Sequence, residues 1–238
     1  GQSELVGFLL IFSVGILLIA LTITTGFVGL DSAQDFQRTT NAERGFTALA
    51  DDVSDVVYHG ASRRTTEIRL VDAKLSIAET ESIAVVDENG TTIARVETSP
   101  IEYDSGTGTT ITYENGALIR QDEGHPVMFR EPDFVLTDEE LRLPLLGTTA
   151  EDGRAVGGDT SVEIETRRTA TESLVSDVPA SNVTLQISTQ YVDAWVRYFE
   201  QFEDDLVAKI DEHEDGVNVT IVTDRVYVID YDIAVSFR

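Results

Sequence analysis

From Leu5 to Leu30 the chain runs 26 residues without a charged side chain, and most of them are Leu, Ile, Val or Phe. A helix needs about 20 apolar residues to cross the hydrocarbon core of a bilayer, so this stretch is long enough to span one. A secretory signal has a shorter apolar region and a basic start; here no basic residue comes first. A plain single-span anchor is the serious competitor to any more specialised role. Asp31 and Asp35 follow with no lysine nearby, which fits a C-terminal side outside the cell. The chain starts at Gly1 and its only methionine is Met128, so it reads as either processed or trimmed.

Gly1-Gln2-Ser3-Glu4-Leu5-Val6-Gly7, followed by this apolar run, resembles the start of mature type IV pilin-like proteins, and more narrowly of their haloarchaeal members. The resemblance implies a prepilin peptidase that removes a short basic leader. It also implies a helical homopolymer of the chain itself, an assembly ATPase with its platform protein, and a glutamate near the N-terminus that takes part in assembly. Glu4 matches that glutamate. The candidate assembly residues are Gly1, Glu4, Leu5, Gly7, Phe8 and Gly15. Apart from the resemblance, a carboxylate at the edge of a hydrocarbon helix is costly unless paired. The amine of Gly1 on a neighbouring copy is a suitable partner, and the helix dipole favours a glutamate there. The alternative is a hydrated interfacial residue. Gly7 and Gly15 allow close backbone approach between helices, or mark places where the helix bends.

Beyond the apolar run, Phe46, Leu49, Val53 and Val56 recur at steps of three and four, while Asp51, Asp52 and Asp55 fall elsewhere on the wheel. This predicts one long helix from about Ser3 to Tyr58, on the order of 80 Å, ended by Gly60. After Arg64 the pattern turns to alternation. Asn89-Gly90 and Asn115-Gly116 each sit between alternating runs, the strongest short-range hairpin signal. One helix, Tyr191 to Ile210, is expected among the strands, and the Gly-rich segment 147–159 reads as an exposed loop. The expected fold is α+β: a long N-terminal hydrophobic helix, then an antiparallel β-sandwich-like head with one packed helix. The expected division is an N-terminal helix over 1–59, with 1–30 as membrane or filament core and 31–59 amphipathic. A β-rich head then occupies 60–238.

Charge narrows the partners. There are 43 Asp and Glu against 17 Lys and Arg, a formal charge of -26. Residues 1–60 carry -5 and the remainder -21. Such a surface repels phosphate backbones, so no nucleic-acid partner is expected. Only Lys74 and Lys209 are lysines. Acid-rich and lysine-poor is a profile suited to molar salt, where screening is nearly complete; an ordinary acidic protein is the alternative. Without cysteine there are no disulfides, thiolate metal sites or Cys nucleophile.

The sequence carries little recognisable chemistry. His59, His125 and His213 are far apart and outside any zinc-binding frame. Carboxylate pairs, such as Asp204 with Asp205, Asp230 with Asp232, and the 211–215 cluster, are what composition alone produces. No catalytic residues, metal or cofactor are expected. Three sequons, at Asn89, Asn182 and Asn218, are candidates for N-glycosylation. The expected function is a structural pilin subunit of a cell-surface filament, membrane-inserted before assembly and serving adhesion or attachment. The alternative is a single-span surface protein whose β domain binds a ligand or partner.

Overall fold

The computed structural model describes residues 2–137, 139–176, 182–202 and 206–238, with side chains outside 2–5, 20–32 and 173–176. The chain forms two compact units, Gly1–Thr40 and Asn41–Arg238. Helix α1 (Gln2–Tyr58) begins in the first and ends in the second, where Gly60, at φ +76°, turns the chain out of the helix. The first group of strands is β1 (Arg63–Arg69), β2 (Ala73–Ile77), β3 (Glu81–Val86), β4 (Thr92–Thr98) and β5 (Ile101–Asp104). Next come β6 (Thr109–Glu114), β7 (Ala117–Asp122), β8 (His125–Arg130), β9 (Val135–Leu136) and β10 (Leu141–Asp152). Then follow β11 (Ala155–Gly158), β12 (Ser161–Ser176), β13 (Val183–Ser188) and helix α2 (Val192–Glu200). The last are β14 (Val207–His213), β15 (Gly216–Ile221) and β16 (Val226–Phe237).

These strands make three sheets. Sheet A runs β1-β12-β16-β10-β9, sheet B runs β11-β2-β5-β6-β7-β8, and sheet C runs β14-β15-β13-β3-β4. The expected fold class is therefore corrected: the chain is mostly β, in three sheets rather than a two-layer antiparallel sandwich. Sheet A is mixed, because β10 and β16 pair in parallel from Leu141↔Val226 onward. The long hydrophobic N-terminal helix is corrected as well. The apolar part of α1 whose side chains are described is the short stretch Val6–Ile19. Among the described residues no helix is long and apolar enough to cross a membrane.

Two cores hold the larger unit. In the first, Phe46, Leu49 and Val53 of α1 pack on Ile68, Leu75, Tyr103, Tyr113, Ile164 and Ile233 from sheets A and B. In the second, α2 presents Trp195 and Phe199 to Leu185, Val219, Ile119 and Leu143. Strand β16 serves both, with Val226 and Val228 in one core and Tyr231, Ile233 and Val235 in the other. Asp230 and Asp232 interrupt the apolar run of β16 where it passes from one core to the other.

Two local expectations fail for identifiable reasons. The segment 147–159 is not a loop, since β10 runs through Asp152 and β11 follows. Gly147 lies inside β10 because a Cβ there would stand 3.1 Å from the Glu97 carbonyl and 3.2 Å from Asp232 Oδ1. The helix read over Tyr191–Ile210 is the nine-residue α2, and Leu206 and Ile210 lie beyond it. Ile210 sits in β14 opposite Val219, yet packs on the same core as α2. Its three-and-four spacing reports a shared core rather than one helix.

Candidate assembly surface

An α-helix turns 100° per residue, so consecutive apolar residues cover every face of it. From Val6 to Ile19, eleven large apolar side chains stand 52–76 % exposed, among them Phe8, Phe12, Ile11 and Leu17. Phe8 and Phe12, one turn apart, stack with ring centroids 6.1 Å apart. A helix that is apolar all round is stable in water only when something covers it. Gly7 and Gly15 interrupt the covering of large side chains. A Cβ at either would meet nothing within 4 Å, so each leaves a notch where a second backbone can approach. Of the candidate residues, Gly7, Phe8 and Gly15 are thus on the described apolar surface. Gly1 and the side chains of Glu4 and Leu5 lie outside the described residues.

In the larger unit, residues 41–58 of α1 have a buried and a charged face. Phe46, Leu49, Val53 and Val56 are all buried. The charged face is tied down at three points. Arg120 on β7 pairs with Glu43 at 2.7 Å, Arg130 on β8 with Asp51 at 2.6 Å, and Arg64 on β1 with Asp55 at 2.9 Å. The Arg64 guanidinium holds the Asp55 carboxyl below its ordinary range, while Asp122 and Glu43 raise the Arg120 guanidinium. Each pair is partly exposed and contributes little alone, because solvent screens it. Together they fix the rotation of the helix on its sheet.

The three sequons occupy different settings. Asn89 is exposed in the turn between β3 and β4, where Asp87 Oδ1 accepts the backbone N–H groups of Asn89 at 2.9 Å and Thr91 at 2.7 Å. Asn182 is exposed immediately before β13. Asn218 is half-buried on β15, between β13 and β14, and its amide lies 2.9 Å from His213 Nε2. Thr184 and Thr220, the third residues of two sequons, face each other across β13 and β15 at 3.2 Å.

His59 pairs with Asp55, His125 lies on β8 and His213 on β14, where it lines a cavity with Gly124 and Pro126. Among the described residues no group of three or more His, Asp or Glu is arranged to hold a metal ion. Asp204 and Asp205 lie outside the described residues. Asp230 has one buried oxygen without a hydrogen-bond partner, and burial, then Asp232 and Glu172, push its carboxyl up to about 6.

The polar residues that sequence reasoning missed are Glu81, Glu102 and Glu114. Glu114 is buried, at 1 % exposure. The sequence carries no signal for it: in the alternation Thr110–Glu114 it shares the polar face with Thr112, which reads as solvent-facing, yet both are buried.

No curated protein and no solved structure matches the chain. The model of a family of unknown function (DUF7289) matches residues 1–236, and the chain belongs to that family.

Proposed function

We propose that the chain is a structural subunit of an extracellular, type IV pilin-like filament, in which the Val6–Ile19 stretches of neighbouring copies cover one another. The observation that carries this reading is the ring of exposed apolar side chains from Val6 to Ile19. Copies of the same stretch are a chemically matched cover. The notches at Gly7 and Gly15 suit close helix–helix approach, and the N-terminal sequence through Gly7 supplies the resemblance to pilin-like proteins. The acidic larger unit then forms the outer surface of the filament, at the cell surface, where it serves attachment. Glu4 assists register by pairing with the N-terminal amine of a neighbour, and a prepilin peptidase and an assembly ATPase with its platform act on the chain beforehand.

The test is electron microscopy of material sheared from the native cell surface, with mass spectrometry on the same fraction. Thin fibres with this chain as their main component support the reading. Recovery of the chain only with the membrane, with no fibre containing it, replaces the filament by a surface protein held through its N-terminal segment.

A further inference from the structure

Three glutamates from three strands converge on one tripeptide. Glu81 opens β3, Glu102 lies in β5 and Glu114 closes β6, so the group bridges sheets B and C. The link from β13 to α2 meets them residue by residue. Thr189 Oγ1 donates to Glu114 Oε2 at 3.0 Å. The Gln190 side-chain amide donates to Glu102 Oε2 at 3.2 Å, and its backbone N–H faces the Glu81 carboxyl. The Tyr191 hydroxyl, also 2.7 Å from Thr112 Oγ1, donates to the same Glu102 oxygen at 3.2 Å. From α2, Trp195 Nε1 donates to Glu114 Oε1 at 3.0 Å.

The donors to Glu114 are all neutral, and the charged group facing it is another carboxylate, Glu81. Glu81 in turn faces Glu102, and its Oε2 is buried with no hydrogen-bond partner. A buried carboxylate without a cation is costly to ionise, and two of them close together cost more. A proton on one of the pair removes that charge and supplies a donor where an oxygen otherwise stands unsatisfied.

We propose that Glu81 and Glu114 hold at least one proton in the folded protein and form a proton-dependent lock between sheets B and C, which loosens when both carboxyls ionise. The segment released is the Thr189–Tyr191 link with α2 behind it, because every one of its three residues is anchored on this group. The lock is independent of how copies of the chain associate.

The direction of the pH effect follows from the shifts. Burial first, then the Glu81 charge, push the Glu114 carboxyl up to about 8. Burial pushes Glu81 up to about 7 against the Gln190 N–H, with the Glu102 charge adding to the rise. The two titrate as a pair, so these values belong to the pair rather than to either residue. Both are raised above the ordinary carboxyl value. The folded state therefore binds more protons than the unfolded one, and stability is complete below the unfolded carboxyl range and lost as pH rises through about 7 to 8. Asp230, raised to about 6, produces a fall of the same sign at lower pH, so the informative interval lies above it.

The experiment is thermal unfolding of the full chain in molar salt from about pH 6 to about pH 9, for the natural sequence, Glu114→Gln and Glu81→Gln. The natural chain is expected to lose about 4–10 °C over this interval, and each variant at least half of that dependence. Infrared difference spectra of the natural chain give a second readout that needs no variant to fold: the band of a protonated carboxyl should bleach over the same interval while the amide bands stay native. A level melting temperature, a fall unchanged in both variants, or no protonated-carboxyl band near pH 6 overturns the proposal. So does a melting temperature lowered by EDTA, which would assign the neutralising charge to a bound cation.

Discussion

Replacing Phe46 by alanine tests whether the second half of α1 is part of the larger unit's core rather than a stalk attached to it. Phe46 has no exposed surface and packs in the core that α1 builds with sheets A and B. Removing a buried phenylalanine costs about 3–5 kcal/mol, the upper part of that range applying where the surroundings cannot collapse into the space. Collapse is restricted here. A Cβ on the neighbouring Gly45 would stand 3.0 Å from Ile68 Cγ1, so the helix backbone already lies against β1 and has no room to settle closer. The expected loss is therefore about 4–5 kcal/mol, or roughly 8–20 °C in melting temperature for a unit of this size. Phe36 provides the control, since it lies on the same helix, in the smaller unit, and is 71 % exposed. Phe36→Ala should change stability by less than about 0.5 kcal/mol. Urea unfolding followed by tryptophan fluorescence reads both, because the single Trp195 lies in the other core and reports unfolding of the whole unit. A Phe46→Ala loss below about 1 kcal/mol, or equal losses for the two variants, would refute the packing argument.

Two further outcomes are expected. Gly216→Ala should destabilise the chain by at least about 2 kcal/mol, read by the same urea titration, because its Cβ would collide with the Ile187 carbonyl oxygen and neither backbone can yield cheaply. Ile11→Asp, at the most exposed apolar position of Val6–Ile19, should leave the melting temperature unchanged but weaken self-association about a thousandfold. That factor comes from about 2 kcal/mol of lost apolar burial and at least as much again for desolvating the carboxylate. Sedimentation and electron microscopy read it, and undiminished oligomers would remove the Val6–Ile19 stretch from the assembly surface.

What could be read from the residues was mostly local. Both Asn-Gly pairs lie in the turns joining β3 to β4 and β6 to β7, and Asn115 and Gly116 take φ +46° and +87°, the conformations that such a turn requires. The stripe Phe46, Leu49, Val53 and Val56 is buried as its spacing predicts. Three sheets were not legible, because pairing such as Leu141 with Val226 joins segments far apart in the chain and leaves no periodic trace. Gly147 looked like loop composition, when its small size is demanded by the Glu97 carbonyl of a neighbouring strand. On the candidate surface, an uncharged run shows that an apolar face exists; its degree of exposure needed coordinates. The buried glutamates were hidden by the chain's acidity, since among 43 acidic residues a core-facing carboxylate looks like any other.

The place of β16 in sheet A sets an order of events. It lies between β12 and β10 and joins both cores, yet every other strand precedes it in the chain. During synthesis from the N-terminal end, β10 and β12 emerge with the seat between them vacant, and both cores lack the residues that β16 contributes. Sheet A therefore stays incomplete until β16 is delivered, and its folding waits on long-range pairing of the slow kind.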